Sequence, residues 1–396
     1  MMDSIVIPER KFTSYQPIPL YRKLKADQLF TGHTMLDATN VLILQQDSRV
    51  ADIVKVTDAG DDIETFSGIL SPGFVNAHCH LELSHLKDMI PMHTGLIPFL
   101  NSVMTQRSSE NEMIEEAICK TEDEMLANGI VAVGDISNTA FTIAQKQNSR
   151  LRYINLLEVA GLPEPIAQTR YESIQVLKTQ FDKVHLHTSI VPHAPYSVSR
   201  HLFEKIETDS ANSIISMHNQ EMAEENEWYV SKSGPLNEFY NQWNISTASF
   251  EPTGKSSLQS LLPMMDVLKK HILVHNVFTS EDDIILAKKH FTSHPQHLIF
   301  CFSPNANLYI QNKLPPIQLF QKHGCNMVLG TDSLASNSRL CIYEEIKTIQ
   351  KAMPEISLDT LLGWATLAGA CALGVDKMFG SFEKGKKPGE IGRAHV

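Results

Sequence analysis

The strongest constraint on the fold of this chain is a repeated alternation of short apolar runs with helical segments. The apolar runs, each of strand length, lie at 73–78, 129–136, 152–160, 183–191, 213–218, 271–277, 297–302 and 326–330. Segment 110–127 is typical of the intervening helices, with apolar side chains on one face and acidic ones on the other. Ser280-Glu-Asp-Asp283 opens another with a capping-box pattern. The pattern gives eight strands, each followed by a helix, over about 300 residues. This number predicts an α/β fold of the (β/α)8 TIM-type barrel class.

A doubly wound open sheet is the competing α/β fold. We disfavour it because polar residues recur at the carboxyl ends of many strands, as a barrel mouth requires, and no GxGxxG fingerprint follows the first strand. Residues 15–69 contain short β-like pieces separated by turn residues, which predicts a small β-rich domain. Residues 221–262 form an unusually long connection, which predicts a lid or specificity element, with a loosely packed surface insertion as the alternative.

The net charge and the cysteine usage restrict the partners and the compartment. A formal charge of −11 over 396 residues argues against a nucleic-acid-binding or anionic-membrane surface. The six cysteines are scattered, without a CxxC pair, which is typical of a reducing compartment. The first ten residues show no signal-peptide core, and no apolar run approaches the ~20 residues that span a bilayer. We therefore expect a soluble cytoplasmic protein.

Two histidines one residue apart, His78 and His80, stand at the end of the first apolar run. Side chains at i and i+2 of a β-strand point the same way, so both imidazoles would meet at one place just past the strand end. Imidazole is the commonest protein ligand for a divalent transition metal. Because the chain has 17 histidines, a chance surface pair is the alternative, and the interpretation depends on whether other strands end in ligands.

Three more predicted strands do end in such residues. The fifth ends at His218 and is followed by Glu221, the sixth ends at His275, and the eighth leads into Asp332. Three imidazoles with a carboxylate suit Zn²⁺, with Fe²⁺ as the alternative, and a water on such an ion has its pKa lowered to roughly 7. Glu221 would then transfer protons to and from a substrate, His275 would orient the water or stabilise developing charge, and Asp332 would accept a proton.

The signature Pro72-Gly-Phe-Val-Asn-Ala-His78-Cys-His80, taken with His218, His275 and Thr331-Asp332, resembles the amidohydrolase superfamily over roughly residues 60–385. The resemblance implies a (β/α)8 barrel over 66–374 and a small β-sandwich built from the chain ends, 1–65 and 375–396. It also implies metal ligation by His78, His80, His218 and Asp332. Family chains usually continue after Gly-Lys with an Ala-Asp-Leu-type strand that completes the sandwich, and the resemblance does not extend to that strand here.

Two details place the resemblance within the superfamily. The fourth predicted strand carries neither of the bridging residues, lysine or glutamate, that members with two metals have there, which favours a single divalent ion. The spacing His218-x-x-Glu221 is similar to the deaminase branch, in which the glutamate protonates a ring nitrogen and the strand-six histidine assists attack. The stretch His193-Ala-Pro-Tyr is also similar to that branch and implies that His193 contacts substrate.

Further stretches, among them His80-Leu-Glu82-Leu-Ser and Pro304-Asn-Ala-Asn307, resemble bacterial aminodeoxyfutalosine deaminases and chlorohydrolase-like proteins. Glu82 is accordingly a substrate ligand or a support for His80. Asn305 and Asn307 either line the pocket or hold their loop together.

We therefore predict a metal-dependent hydrolytic deaminase that releases ammonia from an aminated purine-like heterocycle or nucleoside, with aminodeoxyfutalosine as a candidate. A chlorohydrolase or a cyclic amidohydrolase would use the same metal hydroxide, so spacing does not separate these activities. A non-catalytic barrel scaffold is the alternative from another class, although none of the expected ligands is missing. The expected partner is a small-molecule substrate. The sequence leaves open whether the protein is a homo-oligomer.

Overall fold

The computed structural model describes residues 20–389 together with the backbone of residues 393–394. The expectations for residues 1–19, 390–392 and 395–396 lie outside the described residues. The described chain begins with seven short strands: β1 Tyr21–Lys25, β2 Gln28–Phe30, β3 Met35–Asp37, β4 Asn40–Gln45, β5 Val50–Lys55, β6 Ile63–Thr65 and β7 Ile69–Leu70. Three of the short β-like pieces expected within residues 15–69, beginning at Gln28, Asn40 and Ala51, lie in strands β2, β4 and β5.

These strands form two four-stranded sheets. One has the order β5-β4-β1-β6, and the other has β7, β2 and β3 beside a short strand β16 (Arg393–Ala394), which pairs antiparallel with β7. One apolar cluster includes Leu24, Leu29 and Leu42 of these strands together with Phe382. Phe382, which lies close to the C-terminal end, therefore packs with the N-terminal strands. The N-terminal sheets therefore include chain from both ends.

Eight parallel strands follow. They are β8 Phe74–Cys79, β9 Ile130–Ser137, β10 Arg152–Val159, β11 Thr188–Pro192, β12 Ile214–Asn219, β13 Lys270–His275, β14 Leu298–Phe302 and β15 Asn326–Leu329. They pair as two four-stranded sheets, β8 to β11 and β12 to β15, each in chain order. Almost every residue of these strands is buried, as expected where helices cover a parallel sheet. The predicted α/β class with parallel strands is confirmed.

Backbone contacts also join the outer strands of the two sheets. The N–H groups of Thr331 and Asp332 donate to the His78 carbonyl at 3.0 and 3.2 Å, and Cys79 forms an isolated parallel bridge with Asp332. At the other side, the N–H of His218 donates to the His193 carbonyl at 2.9 Å. The first and last parallel strands therefore lie side by side, as do the fourth and fifth.

Fourteen helices are present in the described part of the chain. They are α1 Leu96–Gln106, α2 Asn111–Ala127, α3 Ile143–Asn148, α4 Ala167–Lys183, α5 Arg200–Thr208, α6 Ala223–Ser231, α7 Leu236–Gln242, α8 Ser257–Leu261, α9 Glu281–His290, α10 Pro304–Gln311, α11 Ile317–Lys322, α12 Ile342–Ala352, α13 Leu358–Gly363 and α14 Gly369–Ala372. Short 3₁₀ turns add to these, the first at Leu81–Leu86, and a π turn spans Trp364–Ala368.

Two local predictions about helices are confirmed. Helix α2 occupies almost the whole of the predicted segment 110–127. At the start of α9, Ser280 Oγ accepts a hydrogen bond from the Asp283 N–H at 3.2 Å, and Asp283 Oδ2 accepts one from the Ser280 N–H at 2.9 Å. This is the reciprocal capping box that the sequence predicts.

The fourth strand departs from its predicted position. The apolar run at 183–191 predicts a strand, yet β11 begins at Thr188 because α4 continues to Lys183 and residues 184–187 connect the two. His185 adopts a left-handed φ of 60° in this connection, which ends the helix and turns the chain. The expected start of the strand was therefore wrong by five residues.

The connection 221–262 is packed against the rest of the molecule. It contains α6, α7 and α8, and the side chains of Trp228 and Tyr240 are fully buried. Trp243 Nε1 donates to Asn101 Oδ1 of α1 at 2.6 Å, which ties the connection to the segment that follows β8. A loosely packed surface insertion is therefore the wrong description.

Two properties bear on cysteine chemistry and membranes. All six cysteines are described, and each is a free thiol. In the described residues, none of the helices combines the length and the apolarity that crossing a bilayer would require.

Candidate metal centre and acid–base site

The predicted convergence of His78 and His80 is present at the end of β8. Their Nε2 atoms lie 3.1 Å apart, and both side chains are buried. Gly330 packs against this strand so closely that an added Cβ would lie 2.9 Å from the His78 carbonyl oxygen and 3.0 Å from the His78 Cβ. The absence of a side chain at position 330 therefore lets β15 approach the two histidines.

His218 and Asp332 complete the predicted ligand set. Asp332 Oδ1 lies 3.4 Å from His80 Nε2 and 3.8 Å from His78 Nε2, while its Oδ2 accepts a hydrogen bond from Ser336. One ligand atom from each of His78, His80 and His218 falls within 4.8 Å of the others. The four residues that the sequence assigned to a metal are thus brought together at one end of the parallel strands.

The chemistry of these donors fits a divalent cation. His218 Nε2 is buried and has no hydrogen-bond partner among the described residues, so an ion could replace the proton on that atom. Burial lowers the pKa of His218, but the carboxylates of Glu158 and Glu221 outweigh that effect and raise it to about 10. The same two carboxylates would favour a metal cation at His218. Burial also holds the pKa of His78 well below its usual range, so this ligand is neutral, as metal binding requires.

Glu221 and His275 lie beside this centre, next to the Nδ1 atom of His218. Glu221 Oε2 is 3.7 Å from His218 Nδ1, and Glu221 Oε1 is 3.6 Å from His275 Nε2. His275 Nε2 is also 3.1 Å from His218 Nδ1. Burial raises the pKa of Glu221, but His275 and His218 outweigh it and lower that pKa below its usual value. An ionised carboxylate is therefore held beside the predicted ligands.

The two asparagines of α10 have different contacts. Asn307 Nδ2 lies 2.9 Å from His275 Nδ1, so Asn307 contacts a predicted catalytic side chain. Asn305 instead holds its loop: its N–H donates to Glu345 Oε2 at 2.9 Å, and its Oδ1 accepts from Thr348 at 2.6 Å. One asparagine thus belongs to the site and the other to the scaffold.

His193 lies behind His218, where the resemblance implies a substrate contact. The two rings are 4.9 Å apart, and Ser197 Oγ is 2.7 Å from His193 Nδ1. Burial lowers the pKa of His193 to about 4. The ring is therefore neutral at physiological pH, with Nδ1 engaged by Ser197.

Sequence reasoning missed one residue of this site. Glu158, near the end of β10, has its carboxylate Oε1 3.5 Å from His218 Nε2, and it forms a second group of nearby ligand atoms with His193 and His218. Burial opposes its ionisation, but His193 and His218 outweigh this and hold the pKa of Glu158 well below its usual range. Burying a carboxylate within an apolar strand costs free energy unless the carboxylate has a partner. A glutamate inside the apolar run 152–160 was therefore the signal in the sequence that could have revealed this residue.

Glu82, the other predicted substrate contact, makes its hydrogen bonds to the loop that follows β9. Its Oε2 accepts from the Asn138 N–H, the Thr139 N–H and the Thr139 hydroxyl, at 3.1, 3.0 and 2.7 Å. Its Oε1 lies 3.5 Å from an Arg107 guanidinium nitrogen. Both oxygens of Glu82 thus have protein partners.

A family model and a known relative both match most of this chain. The profile described as the amidohydrolase family matches residues 69–388. The aminodeoxyfutalosine deaminase of a Nitratiruptor species is 28% identical over 321 residues, which cover 78% of this chain and 75% of the relative.

Two solved structures resemble the fold closely. Helicobacter pylori aminofutalosine deaminase in complex with methylthio-coformycin superposes with a TM-score of 0.76 at 21% identity, over 92% of this chain and 90% of that one. An adenosine deaminase from Xanthomonas campestris with bound zinc superposes with a TM-score of 0.70 at 22% identity, over 92% and 82%. At these identities the likeness concerns the fold.

Proposed function

The chain belongs to the amidohydrolase family and is a hydrolase that acts on carbon–nitrogen bonds, and on that premise we propose that it deaminates an aminated purine-like nucleoside. A deamination needs a group that gives a proton to the ring nitrogen beside the attacked carbon. The position of Glu221 carries the proposal: its buried carboxylate lies beside both His218 Nδ1 and His275 Nε2. Aminodeoxyfutalosine is our candidate substrate, since a relative matched over most of its length is named for it.

We propose further that the eight parallel strands close into a (β/α)8 barrel over 66–374. The contacts between β8 and β15 and between β11 and β12 support closure. The small β-sandwich would then comprise 1–65 and 375–396, supported by the packing of Phe382 with the N-terminal strands. In a barrel the carboxyl ends of the strands form the active face, which is where the histidines lie.

A single divalent ion, Zn²⁺ by our proposal, fits the set His78, His80, His218 and Asp332. Nitrogen and carboxylate donors suit zinc, and the similar Xanthomonas campestris protein contains it. When bound, the ion would acidify a water molecule and so supply a nucleophile near neutral pH. The scaffold alternative is disfavoured because scaffold relatives typically lose metal ligands.

Glu221 would carry the first of the two protons that the reaction moves. Hydrolysis at an amine-bearing ring carbon consumes one water molecule. One proton of that water goes to the ring nitrogen, and the other goes to the departing amine. Because the neighbouring histidines lower the pKa of Glu221 below its usual value, its carboxylate would be free to take a proton from the water first and then deliver it to the ring nitrogen. His275 would hold the water and Glu221 in position through its Nε2.

Asp332 would carry the second proton. Its Oδ1 faces the two histidines of β8, while its Oδ2 is restrained by Ser336. A carboxylate held in one orientation can accept the remaining proton of the water and pass it to the leaving amine, which departs as ammonia. The bond to the amine nitrogen breaks as the carbonyl forms.

The test is to incubate zinc-loaded protein with a panel of 6-aminopurine nucleosides and to measure ammonia. We expect ammonia to be released from at least one of these nucleosides and the metal content to be near one ion per chain. We expect His78→Ala to lose both the metal and the activity. If metal is bound and no ammonia appears, the deaminase proposal fails. Release of chloride from a chlorinated triazine, or of a ring-opened acid from a cyclic amide, would identify the other activity classes.

A further inference from the structure

Helix α10, which follows the seventh parallel strand β14, contacts both residues of the acid–base pair, Glu221 and His275. Asn307 Nδ2 lies 2.9 Å from His275 Nδ1. The main-chain carbonyl of Glu221 accepts a hydrogen bond from Gln311 Nε2 at 2.5 Å. Residues four apart lie on the same face of a helix. One face of α10 therefore reaches two residues that stand at the ends of different strands, β12 and β13.

Glu221 itself lies in a short irregular segment. Strand β12 ends at Asn219 and helix α6 begins at Ala223, so residues 220–222 belong to neither element. Gln220 has a left-handed φ of 47°, a conformation that residues other than glycine seldom adopt. Such a backbone persists only where the surrounding structure holds it. The direction of the Glu221 side chain therefore depends on the contacts of this segment.

Both peptide groups that flank the Glu221 Cα are held by hydrogen bonds from elsewhere in the chain. On the N-terminal side, the Gln220 carbonyl accepts from the Phe278 N–H at 2.9 Å. On the C-terminal side, the carbonyl of Glu221 accepts from Gln311. With both peptide planes fixed, the Cα–Cβ bond of Glu221 can point in only one direction. Gln311 supplies one of the two restraints.

Anchoring of α10 is the competing role for Gln311. The helix already has other anchors close to its C-terminal end, since the Tyr309 hydroxyl donates to the Ile90 carbonyl at 2.6 Å and the Ile310 carbonyl accepts from the Gly95 N–H at 2.9 Å. The side chain of Ile310 is also buried. These contacts hold the helix without Gln311, whose own contact is directed to Glu221.

We propose that Gln311 is a positioning residue that aims the Glu221 carboxylate at His275, so that α10 fixes the two members of the pair relative to each other. The separation to be kept is 3.6 Å, from Glu221 Oε1 to His275 Nε2. Displacement of a reacting group by about 1 Å lowers a rate by up to roughly 10²-fold. This inference rests on the proposed function of Glu221.

The experiment uses two replacements of Gln311 and one matched control. Gln311→Met keeps the length of the side chain and removes the donor, while Gln311→Glu presents an ionised acceptor to the carbonyl. Tyr309→Phe is the control, because it also removes a hydrogen bond from α10 to a main-chain carbonyl, that of Ile90. Each change is made in wild type and in Glu221→Gln. Steady-state kinetics, metal content and the urea midpoint are measured for every protein.

In the wild-type background, both Gln311 variants should lower kcat by about 10- to 100-fold and change KM by less than about twofold, because they displace a group that acts in the transition state. Metal content should be unchanged, and Tyr309→Phe should keep kcat within about twofold of wild type. In the Glu221→Gln background, Gln311→Met should lower the residual kcat by less than about twofold, since no proton-transferring carboxylate is left to position. A purely structural role would lower kcat in both backgrounds.

Amide hydrogen exchange gives a second readout, which needs no substrate. Exchange of residues 220–222 should be faster in Gln311→Met than in wild type, because loss of the hydrogen bond to Glu221 releases this segment. Tyr309→Phe should leave the exchange of these residues unchanged.

Three outcomes would overturn the positioning role. They are an unchanged kcat in both Gln311 variants, an equal fall of kcat in Tyr309→Phe, and a fall that keeps its full size in the Glu221→Gln background. Wild-type ammonia release is scored separately. If metal-loaded wild type releases no ammonia, the proposed function fails, and the exchange of residues 220–222 then decides alone whether Gln311 holds Glu221.

Discussion

Asn307 Nδ2 lies 2.9 Å from His275 Nδ1, and both side chains are fully buried. Donation from the amide to Nδ1 places the ring hydrogen of a neutral His275 on Nε2. That nitrogen is 3.6 Å from Glu221 Oε1. Asn307 is therefore a positioning residue, which orients His275 and selects its tautomer.

Replacement of Asn307 by leucine should lower kcat by about 10- to 100-fold, the usual cost of removing a partner that orients a site histidine. Asn305→Ala is the matched control, because Asn305 lies two residues away on the same helix and contacts only the scaffold. Steady-state kinetics and metal analysis of both variants check this. Equal activity of Asn307→Leu and Asn305→Ala would exclude the positioning role.

Glu221→Gln should separate metal binding from proton transfer. The amide keeps the size of the side chain but cannot carry a proton, so kcat should fall by about 10²- to 10⁴-fold. Metal content should stay at the wild-type value, because the ligands His78, His80 and Asp332 are untouched. Elemental analysis beside an ammonia assay tests both statements, and metal loss in this variant would mean that Glu221 is a ligand.

Glu82 should support the site through Asn138, whose side chain holds Glu158 beside His218. Its replacement by alanine removes the acceptor for the Asn138 and Thr139 N–H groups, so the loop that restrains Glu158 loses its anchor. We expect KM to rise by about 10-fold with a smaller change in kcat. Arg107→Met, which removes only the longer and half-exposed contact to Glu82, should change KM by less than about threefold. A larger effect in Arg107→Met than in Glu82→Ala would contradict this order.

The parallel strands could be predicted from the sequence because apolar runs of strand length have a physical cause, burial on both faces of the sheet. The polar residues at the ends of four of these strands could then be recognised as a site. The convergence of His78 with His80 follows from the two-residue period of a strand. Glu158 could not be assigned in the same way, since its importance depends on Asn138 and His218, which come from two other strands and their loops. Such contacts are set by the packing of neighbouring strands and have no local pattern.

A buried ion pair behind the metal centre should dominate the stability of this region. Lys146 Nζ lies 2.5 Å from Asp135 Oδ2, both side chains are 0% exposed, and Asp135 Oδ1 accepts from the N–H of Leu81, next to His80. Lys146→Met leaves the Asp135 charge unpaired and should cost about 3–5 kcal/mol of unfolding free energy. Arg200→Met, in the exposed pair with Glu204, should cost under about 1 kcal/mol.

Denaturant unfolding at saturating metal measures both values. Lys146→Met with Asp135→Asn should recover part of the loss, because the second change removes the unpaired charge. If Lys146→Met is no more destabilising than Arg200→Met, the buried pair does not hold this region.

Glu225 should make stability depend on pH. It is fully buried at the start of α6; its Oε1 accepts from the Gln220 N–H at 2.9 Å and from Ser257, while its Oε2 has no partner among the described residues. Burial raises the pKa of Glu225 to about 8, so the folded protein binds a proton that the unfolded chain releases near its usual value of 4.5. Between these values the folded state binds more protons, and stability must fall as pH rises. The contribution is complete below the unfolded pKa and is lost as pH passes through about 8.

Glu225→Gln keeps the acceptor for Gln220 and Ser257 but cannot ionise. In wild type, Glu225 should make the unfolding free energy fall by up to roughly 1.4 kcal/mol per pH unit as pH rises from about 5 to 8. The unfolding free energy of Glu225→Gln should not show this contribution. Urea titrations of both proteins at half-unit pH steps give the difference directly, and groups common to both cancel in it. A wild-type-minus-variant difference that stays flat or rises over this range would show that Glu225 is ionised in the folded protein.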